Sequence, residues 1–269
     1  MRLLLCLLAL LACIARAEPL RVISLAPSMT EIMLELQADG LLVGVLDGGE
    51  RPAALQALPS VGRQGQLDLE RLVSLRPDLL LLWPGSIAPA QREQLTRLGI
   101  ATYSAEPHTL AQLIDQIDTL AQRLGLAERG QVYASGLRQR LRQLRERYHR
   151  EQPLRVFYQV WDRPLYTLGG RQVVSDALAV CGARNIFDDL NQPAPQVSVE
   201  SVLLRNPQVI LAGDAAQLQS WHAWSAIDAV AQGRLLVIPD KGIERPSGQM
   251  IEATARLCAM LAAKAPVSR

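Results

Sequence analysis

The sequence has few of the residues from which catalytic and metal sites are usually built. Only three histidines occur in 269 residues, and they are scattered as His108, His149 and His222. None has a histidine or cysteine at the spacing of a metal site. The G-x-S-x-G elbow of hydrolases and the phosphate-binding loop G-x-x-x-x-G-K-[ST] are also missing. We therefore expect no catalytic residue and no bound metal, and predict that the protein is not an enzyme.

An excess of one charge is also missing from the expected mature chain. The full sequence has 28 basic and 26 acidic residues, a net charge of +2. Residues 1–17 begin with Arg2, continue in a leucine-rich run and end in the small-x-small signal Ala15-Arg16-Ala17, which is typical of a secretory signal peptide. Its removal takes away two arginines, so that 26 bases balance 26 acids. A neutral protein has no electrostatic footprint for nucleic acid.

The apolar run of this leader is too short for a membrane span, which needs ~20 residues. We expect export to the periplasm with cleavage after Ala17. The stretch Leu10-Leu11-Ala12-Cys13 resembles a lipobox and provides an alternative, in which Cys13 would be lipidated. Leucine is less usual at the second position of a lipobox, and this favours cleavage after Ala17.

Cysteine is scarce, and only Cys181 and Cys258 remain after the leader is removed. An even pair in an oxidising compartment indicates one disulfide. Two buried free thiols are the alternative that the count leaves open.

Short β-rich runs alternate with helical segments through the first half of the chain. The predicted strands are residues 20–25, 41–46, 79–83 and 100–103, and the predicted helices are residues 28–36, 68–75, 89–98 and 110–124. Ser28 and Glu31 are predicted to open the first helix as an S-x-x-E capping box. The alternation predicts an α/β fold with a parallel sheet covered by helices.

One long helical segment, residues 131–149, interrupts this alternation. Such a helix reaches about 30 Å, enough to span between two lobes. Its arginines are Arg138, Arg140, Arg142, Arg145 and Arg147. We interpret them as a solvated helix face, with an anionic partner as the alternative.

The alternation restarts after Pro153. The predicted strands are residues 154–160, 209–212 and 235–238, and the predicted helices are residues 173–180, 199–204 and 248–263. We therefore predict an N-terminal α/β lobe at residues 18–126, a bridging helix within 127–152 and a C-terminal α/β lobe at 153–269.

An internal repeat indicates that both lobes share one design. Residues 69–81 (LERLVSLRPDLLL) match residues 199–211 (VESVLLRNPQVIL) without gaps, at a constant offset of 130. The repeat aligns Glu70 with Glu200, each in the first turn of a predicted helix. Such carboxylates are stabilised by the helix dipole. Alternatively, they form one equivalent charge per lobe for a two-fold symmetric partner.

Aromatic residues make up only 4% of the chain, yet several lie near predicted strand ends: Trp83, Tyr158, Trp161 and Tyr166. Ligands of open parallel sheets bind beyond the carboxyl ends of strands. We assign Trp83 and Trp161 to a cleft, with core packing as the alternative. Trp221 and Trp224 are interpreted as packing residues.

Six segments occur in an order and spacing that match one known family. They are VISLAPSMTE (22–31), LDLER with RPDL (67–71 and 76–79), WDRPLY (161–166), CGARNIF (181–187), PQVSVE (195–200) and ERPS (244–247). Together they resemble the iron-siderophore/cobalamin class of periplasmic binding proteins. The resemblance covers essentially the whole mature chain and implies two Rossmann-like lobes bridged by one long helix.

This resemblance implies the substrate-binding component of an ABC importer. The expected ligand is cobalamin or a related corrinoid, carried as cargo and not as a cofactor. Iron-siderophore or haem binding is the alternative, and an exported enzyme is less expected. The resemblance also implies that Glu70 and Glu200 dock onto arginines of an inner-membrane permease dimer, and that Cys181 pairs with Cys258. We expect a monomer.

The resemblance further implies a ligand pocket, with some departures from the family pattern. Trp83 and Tyr166 match pocket aromatics, and Trp161 is displaced by one position from another. Three pocket aromatics are replaced by Gly48, Gln64 and Ala194, and an Asp-Trp pair is replaced by Lys241-Gly242. The expected ligand-binding set is Gly48, Gln64, Trp83, Trp161, Tyr166, Lys241, Gly242, Ile243, Glu244 and Arg245.

Overall fold

The strands form two separate main sheets, one from each half of the chain, in a computed structural model that describes residues 18–48 and 51–263. The expected signal peptide at residues 1–17, with Cys13 and the cleavage site after Ala17, lies outside the described residues. Within the described ranges, no helix combines the length and the apolar character that a membrane span requires.

The first sheet consists of β1 Val22–Ser24, β2 Leu42–Asp47, β3 Ser60–Arg63, β4 Gln66–Leu67, β5 Leu79–Leu82 and β6 Ala101–Ser104. Its strand order is β4-β3-β2-β1-β5-β6, and only β3 and β4 pair antiparallel. All four leucines of β5 are buried. Such continuous burial is typical of a parallel strand covered by helices on both faces. The β3–β4 hairpin has strands of four and two residues, and the periodicity did not predict it.

The helices of this half are α1 Pro27–Glu35, α2 Leu69–Ser74, α3 Pro89–Arg97 and α4 Leu110–Arg123. Short 3-10 turns cover Asp39–Leu41 and Ala53–Leu55. The buried apolar residues of α4 recur at spacings of three and four, which places them on one face of the helix. Hydrophobic periodicity therefore predicted this helix to within one residue.

The predicted capping box of Ser28 and Glu31 does not form. Helix α1 begins at Pro27, with Ala26 at the N-cap and no side-chain cap bond. Proline suits the first helical position because the N–H it lacks would have no partner there. Glu31 instead reaches the other lobe, as described below.

The long helix α5 spans Ala127–Tyr148, 22 residues, and begins four residues before the predicted start. Three of its arginines pair with carboxylates of both halves of the chain: Arg138 with Asp115 at 2.9 Å, Arg140 with Glu252 at 2.8 Å and Arg145 with Asp176 at 3.8 Å. The interpretation as a purely solvated face was therefore incomplete. These pairs are largely exposed, and each contributes little to stability, roughly 0–1 kcal/mol.

The second half contains β7 Leu154–Gln159, β8 Trp161–Asp162, β9 Leu165–Tyr166, β10 Ala183–Asn185, β11 Val209–Ala212 and β12 Leu235–Val237. The main sheet is all parallel in the order β10-β7-β11-β12, and β8–β9 is a separate hairpin. The helices are α6 Val173–Val180, α7 Val199–Arg205, α8 Ala215–Leu218, α9 Asp228–Ala231 and α10 Gln249–Ala262. This confirms the predicted α/β fold of two lobes bridged by one long helix.

Cys181 and Cys258 form a disulfide. Cys181 caps the end of α6 and Cys258 lies within α10, so the bond joins two helices of the second lobe. The disulfide prediction is confirmed over two free thiols.

Candidate functional site

A cavity of about 850 Å³ opens between the two lobes. Leu25, Gly48, Trp83 and Glu106 each follow a parallel strand of the first sheet and line the cavity. The cavity thus lies beyond the carboxyl ends of these strands, where open α/β sheets bind ligands. The second lobe contributes the end of β7, the start of α6 and residues 244–246. The volume lies in the range of small-molecule and cofactor sites, roughly 300–1,000 Å³.

Much of the wall is apolar. Trp83 is half-buried, lines the cavity and packs against the largest hydrophobic cluster. Further apolar lining residues are Leu25, Leu46, Leu67, Ile87, Val160, Leu168, Val173 and Val174. Such a wall suits a ligand with large apolar faces.

The tyrosine of the wall, Tyr158, lies at the end of β7 and is only 1% exposed. Its hydroxyl donates to Glu244 Oε1 at 2.8 Å. Burial raises the pKa of Tyr158 well above its usual value, and the neighbouring Glu244 carboxylate raises it further. Tyr158 is therefore a neutral donor whose hydrogen bond is already used within the protein.

Five ionisable side chains with carboxyl or guanidinium groups line the cavity: Asp47, Arg63, Glu106, Glu244 and Arg245. Asp47 accepts from Ser60 at 2.5 Å and from Arg51, and these bonds lower the pKa of Asp47. Arg245 pairs with Glu31 at 2.7 Å. Among the described residues of the wall, three acids and two bases leave no excess of positive charge.

Three carboxamides also line the cavity, Gln64, Gln91 and Gln172. Gln91 Oε1 accepts from the Ala88 N–H at 3.0 Å, which aligns the side chain along the start of α3. Gln172 is the residue before α6. The sequence reasoning missed Gln91, Gln172 and Glu106, although the rule that strand ends line clefts would have indicated Glu106 after β6.

Half of the predicted ligand-binding set lies in the cavity wall: Gly48, Gln64, Trp83, Glu244 and Arg245. The other five residues, Trp161, Tyr166, Lys241, Gly242 and Ile243, lie outside it. Gly242 and Ile243 are buried within a 3-10 turn, Lys241–Glu244. Successive residues of such a turn point in three directions, and Glu244 is the residue of this turn that lines the cavity. Ala194 also lies outside the wall.

Trp161 and Tyr166 pair across the β8–β9 hairpin. Trp161 is 55% exposed, and the residue before it, Val160, lines the cavity. Val160 lies in the bend between β7 and β8 and lines the cavity, whereas Trp161 begins β8 and lies outside the wall. Trp221 is 2% exposed and packs edge-on against Phe157, which confirms its interpretation as a packing residue. The same interpretation does not hold for Trp224, which is 38% exposed.

Glu70 and Glu200 are both exposed, each in the first turn of an equivalent helix. The Arg71 N–H donates to Asp68 at 2.8 Å, and the Ser201 N–H donates to Ser198 at 3.2 Å, so each of the two helices has a side-chain N-cap. Hydrogen bonds from its own N–H and from Ser198 lower the pKa of Glu200. The cap and the glutamate therefore recur once in each lobe.

Among residues 18–48 and 51–263, no group of three or more His, Cys, Asp and Glu side chains is arranged to hold a metal ion. The described residues that line the cavity include no histidine, cysteine or methionine. The described wall can therefore enclose a ligand and form hydrogen bonds with it. Haem iron is held by His, Cys, Met or Tyr, and Tyr158 is the one such residue among the described residues of the wall.

The chain matches a family model described as periplasmic binding protein over residues 22–241. It is 34% identical to the vitamin B12-binding protein of Vibrio cholerae over 244 residues, 90% of this chain and 88% of that one. The crystal structure of periplasmic vitamin B12 binding protein BtuF of Vibrio cholerae superposes with a TM-score of 0.79 at 34% identity, covering 90% of this chain and 96% of that chain. A periplasmic heme binding protein from Pseudomonas aeruginosa gives a TM-score of 0.74 at 29% identity, covering 93% and 95%.

Proposed function

This chain belongs to the periplasmic binding protein family, and we propose that it is the substrate-binding component of an ABC importer for cobalamin or a related corrinoid. The observation that carries the proposal is the wall of the inter-lobe cavity, which is largely apolar and whose described residues include three carboxamides and show no excess of positive charge. The similarity to a vitamin B12-binding protein over 90% of the chain supports the same ligand.

The chemistry of a corrinoid suits this wall. A corrin ring presents broad apolar faces, and the periphery of cobalamin carries neutral amide side chains. Trp83 offers a flat apolar surface to such a ring, while Gln64, Gln91 and Gln172 can exchange hydrogen bonds with amides. Cobalamin also brings its own axial ligands, so it needs no metal-ligating side chain from the protein.

Haem and anionic siderophores suit the wall less well. Haem iron is held by a His, Cys, Met or Tyr side chain. The described wall offers only Tyr158, which is buried and hydrogen-bonded to Glu244. The propionates of haem and the anionic groups of siderophores would need several free cations, yet Arg245 is already paired with Glu31. The likeness to a heme binding protein makes haem the alternative that an experiment must address.

Delivery would use the two exposed glutamates. Glu70 and Glu200 lie at equivalent helix starts, one per lobe, and so present two equal charges to a two-fold symmetric permease. Arginines of the permease dimer are the proposed counterparts. The protein would act as a monomer and release its ligand unchanged, and it would therefore perform no catalytic step.

Trp161 is proposed as a rim contact rather than as part of the wall. It is 55% exposed and adjoins Val160, which lines the cavity. Tyr166 pairs with Trp161 across the hairpin. A bulky ligand that protrudes from the cavity would meet this indole.

Export is proposed to remove residues 1–17. The exported protein would then begin at Glu18 and remain free in the periplasm. Mass spectrometry of protein from the periplasmic fraction tests this point. A diacylglyceryl group on Cys13 would overturn it in favour of a lipid anchor.

Isothermal titration calorimetry of the purified protein tests the ligand. Cyanocobalamin should bind at one molecule per chain, whereas hemin and a ferric siderophore should give weaker signals or none. Absence of heat with cyanocobalamin at high micromolar concentration would overturn the corrinoid proposal. Binding of hemin with a shifted Soret band, in place of cyanocobalamin, would establish the haem alternative.

A further inference from the structure

A carboxylate from the first lobe caps the last helix of the second lobe. Glu35, at the end of α1, accepts from the Gly248 N–H and from the Gln249 N–H, each at 2.8 Å. Helix α10 has no side-chain cap of its own. The first N–H groups of a helix lack intrahelical partners, so Glu35 supplies acceptors that α10 does not provide.

Glu31, one turn earlier in α1, holds the loop that precedes α10. Its carboxylate accepts from Arg245 at 2.7 Å and from the Ser247 hydroxyl at 3.1 Å, and it also bonds to Gln249. Residues 244–246 line the cavity. The two glutamates of α1 therefore hold a section of the cavity wall that belongs to the opposite lobe.

The second lobe makes the reciprocal contact. Asp176 Oδ2 of α6 accepts from the Leu110 N–H, the first residue of α4, at 2.8 Å. Helix α4 follows Glu106 and Pro107, which line the cavity from the first lobe. In each lobe, a helix near the start of its sheet caps the last helix of the other lobe. Each capped helix follows a segment of the cavity wall.

The site around Glu35 is close-packed. The Tyr133 hydroxyl of α5 lies beside the same carboxylate, and burial together with Glu35 raises the pKa of Tyr133. A Cβ at Gly248 would lie 2.0 Å from the Tyr133 hydroxyl oxygen and 2.9 Å from Glu35 Oε2. Only glycine lets α10 approach this closely, so the contact depends on all three elements.

One hydrophobic cluster runs between the lobes alongside these contacts. It includes buried residues of α4, α5, α6 and α10: Leu110, Ala134, Leu141, Val174, Ala177 and Ile251. Buried surroundings strengthen a hydrogen bond between protein groups because water competes less for them. The carboxylates of Glu31, Glu35 and Asp176 are half-buried beside this cluster, whereas both side chains of the Arg140–Glu252 pair are exposed.

We propose that Glu31, Glu35 and Asp176 are positioning residues, which form two crossed inter-lobe latches and hold the cavity wall in its ligand-ready arrangement. The identity of the ligand in this inference rests on the proposed function, whereas the inter-lobe contacts of the three carboxylates do not. If the lobes were free to open, only a fraction of molecules would be competent to bind. The apparent dissociation constant would rise in inverse proportion to that fraction.

The test compares a latch variant with a matched control. The latch variant is Glu35→Gln with Asp176→Ala, because glutamine keeps the buried volume but lacks the second acceptor. The control is Glu252→Gln in the first turn of α10, which breaks an exposed 2.8 Å ion pair with Arg140 of α5 but removes neither the Glu35 nor the Asp176 carboxylate. Nitroxide labels at Ala90→Cys and Ala216→Cys, both exposed, report the inter-lobe distance by pulsed electron resonance.

The ligand-free latch variant should show a broadened inter-lobe distance distribution, whereas the control should match the wild-type protein. Cyanocobalamin binding by the latch variant should weaken about tenfold if only a tenth of the molecules remain competent. A lower melting temperature with unchanged distances and affinity would reduce these residues to a structural role and overturn the inference.

The distance measurement needs no ligand, so the two proposals fail separately. In one outcome, wild-type protein does not bind cyanocobalamin while the latch variant still has a broadened inter-lobe distance distribution. That result would overturn the proposed function and support the role of the three carboxylates in holding the lobes together. If the double variant does not fold, Asp176→Ala alone is measured in the same way. Unchanged distances and unchanged affinity in that variant would overturn the proposed role of the Asp176–Leu110 contact.

Discussion

The hydroxyl of Tyr158 donates a 2.8 Å hydrogen bond to Glu244, and so joins the end of β7 to the loop that precedes α10. Both residues line the cavity. The bond occupies the tyrosine that could otherwise ligate a metal, and it satisfies a carboxylate that would otherwise face the ligand alone. The wall is therefore less polar than its residue types alone would indicate.

Tyr158→Phe should weaken cyanocobalamin binding by roughly 0.5–1.5 kcal/mol, because Glu244 loses its hydrogen-bond partner beside the ligand. Calorimetry at neutral pH measures the change. Tyr103→Phe is the matched control, since its hydroxyl donates to the Gln116 carbonyl at 3.2 Å away from the cavity. That control should lower stability and leave the affinity intact. Tighter hemin binding by wild-type protein than by Tyr158→Phe would instead show that this phenol serves the ligand directly.

Trp83→Ala should weaken cyanocobalamin binding by about 1–3 kcal/mol, as expected for a buried aromatic anchor. The loss follows from the indole face that the wall offers to the ring. Trp224→Ala is the control, because Trp224 is 38% exposed and lies outside the cavity wall. Equal affinities for Trp83→Ala and wild-type protein would return Trp83 to a packing role.

Glu70→Ala with Glu200→Ala should abolish import of radiolabelled cyanocobalamin in cells while leaving its affinity for the purified protein unchanged. The two carboxylates are exposed and lie outside the cavity wall, so their loss removes a docking charge and not a ligand contact. Glu93→Ala with Glu146→Ala removes two other exposed carboxylates and should import normally. A fall in affinity would assign Glu70 and Glu200 to the pocket.

The half-buried carboxylate of Glu35 should make stability depend on pH. Burial raises the pKa of Glu35 above its ordinary value of 4.5, against the backbone hydrogen bonds from Gly248 and Gln249 that lower it. The folded state therefore holds a proton to higher pH than the unfolded state. The contribution of this group to stability is greatest below the unfolded pKa and is lost as pH rises through the folded pKa.

Urea unfolding of wild-type protein and Glu35→Gln at several values from about pH 4 to 7 measures this effect. The free energy of unfolding of wild-type protein should fall relative to that of Glu35→Gln as pH rises. Carboxylates whose pKa is lowered, such as Asp47 and Asp189, make the free energy of unfolding rise with pH. Both proteins contain them, so their contribution cancels in the comparison. A constant difference across this range would contradict the prediction.

Cys181→Ser with Cys258→Ser should lower the free energy of unfolding by about 4 kcal/mol, since the disulfide closes a loop of 77 residues in the unfolded chain. Urea denaturation under non-reducing conditions measures the loss. Neither cysteine lines the cavity, so cyanocobalamin affinity at low temperature should persist. A loss of affinity in fully folded variant protein would instead connect the α6–α10 junction to the cavity.

Local signals located most elements accurately. Helix α6 at Val173–Val180 and strand β11 at Val209–Ala212 have the predicted bounds. Apolar periodicity and a following glycine or proline define such elements within a few residues of chain. The strands of the β3–β4 and β8–β9 hairpins were missed because they lack the continuous apolar run of β11. Three of these four strands have two residues each, and β3 buries only Val61.

Glu31 shows where local reasoning failed. The spacing from Ser28 predicted a capping box within one turn of helix, but the carboxylate bonds to Arg245, 214 residues away. The same holds for the cavity. Gln91 and Gln172 carry no local sign of a site and become wall residues only when the lobes face each other.

The sequence by itself determined the alternating α/β pattern, the repeat at an offset of 130, the single cysteine pair and one helix-start glutamate per lobe. Each of these depends on residues close in sequence or on simple counting. The tertiary structure alone decided which strand-end residues line the cavity and which carboxylates cap the opposite lobe. Those choices depend on how two sheets pack around α5, and that packing sums many weak contacts between residues distant in the chain.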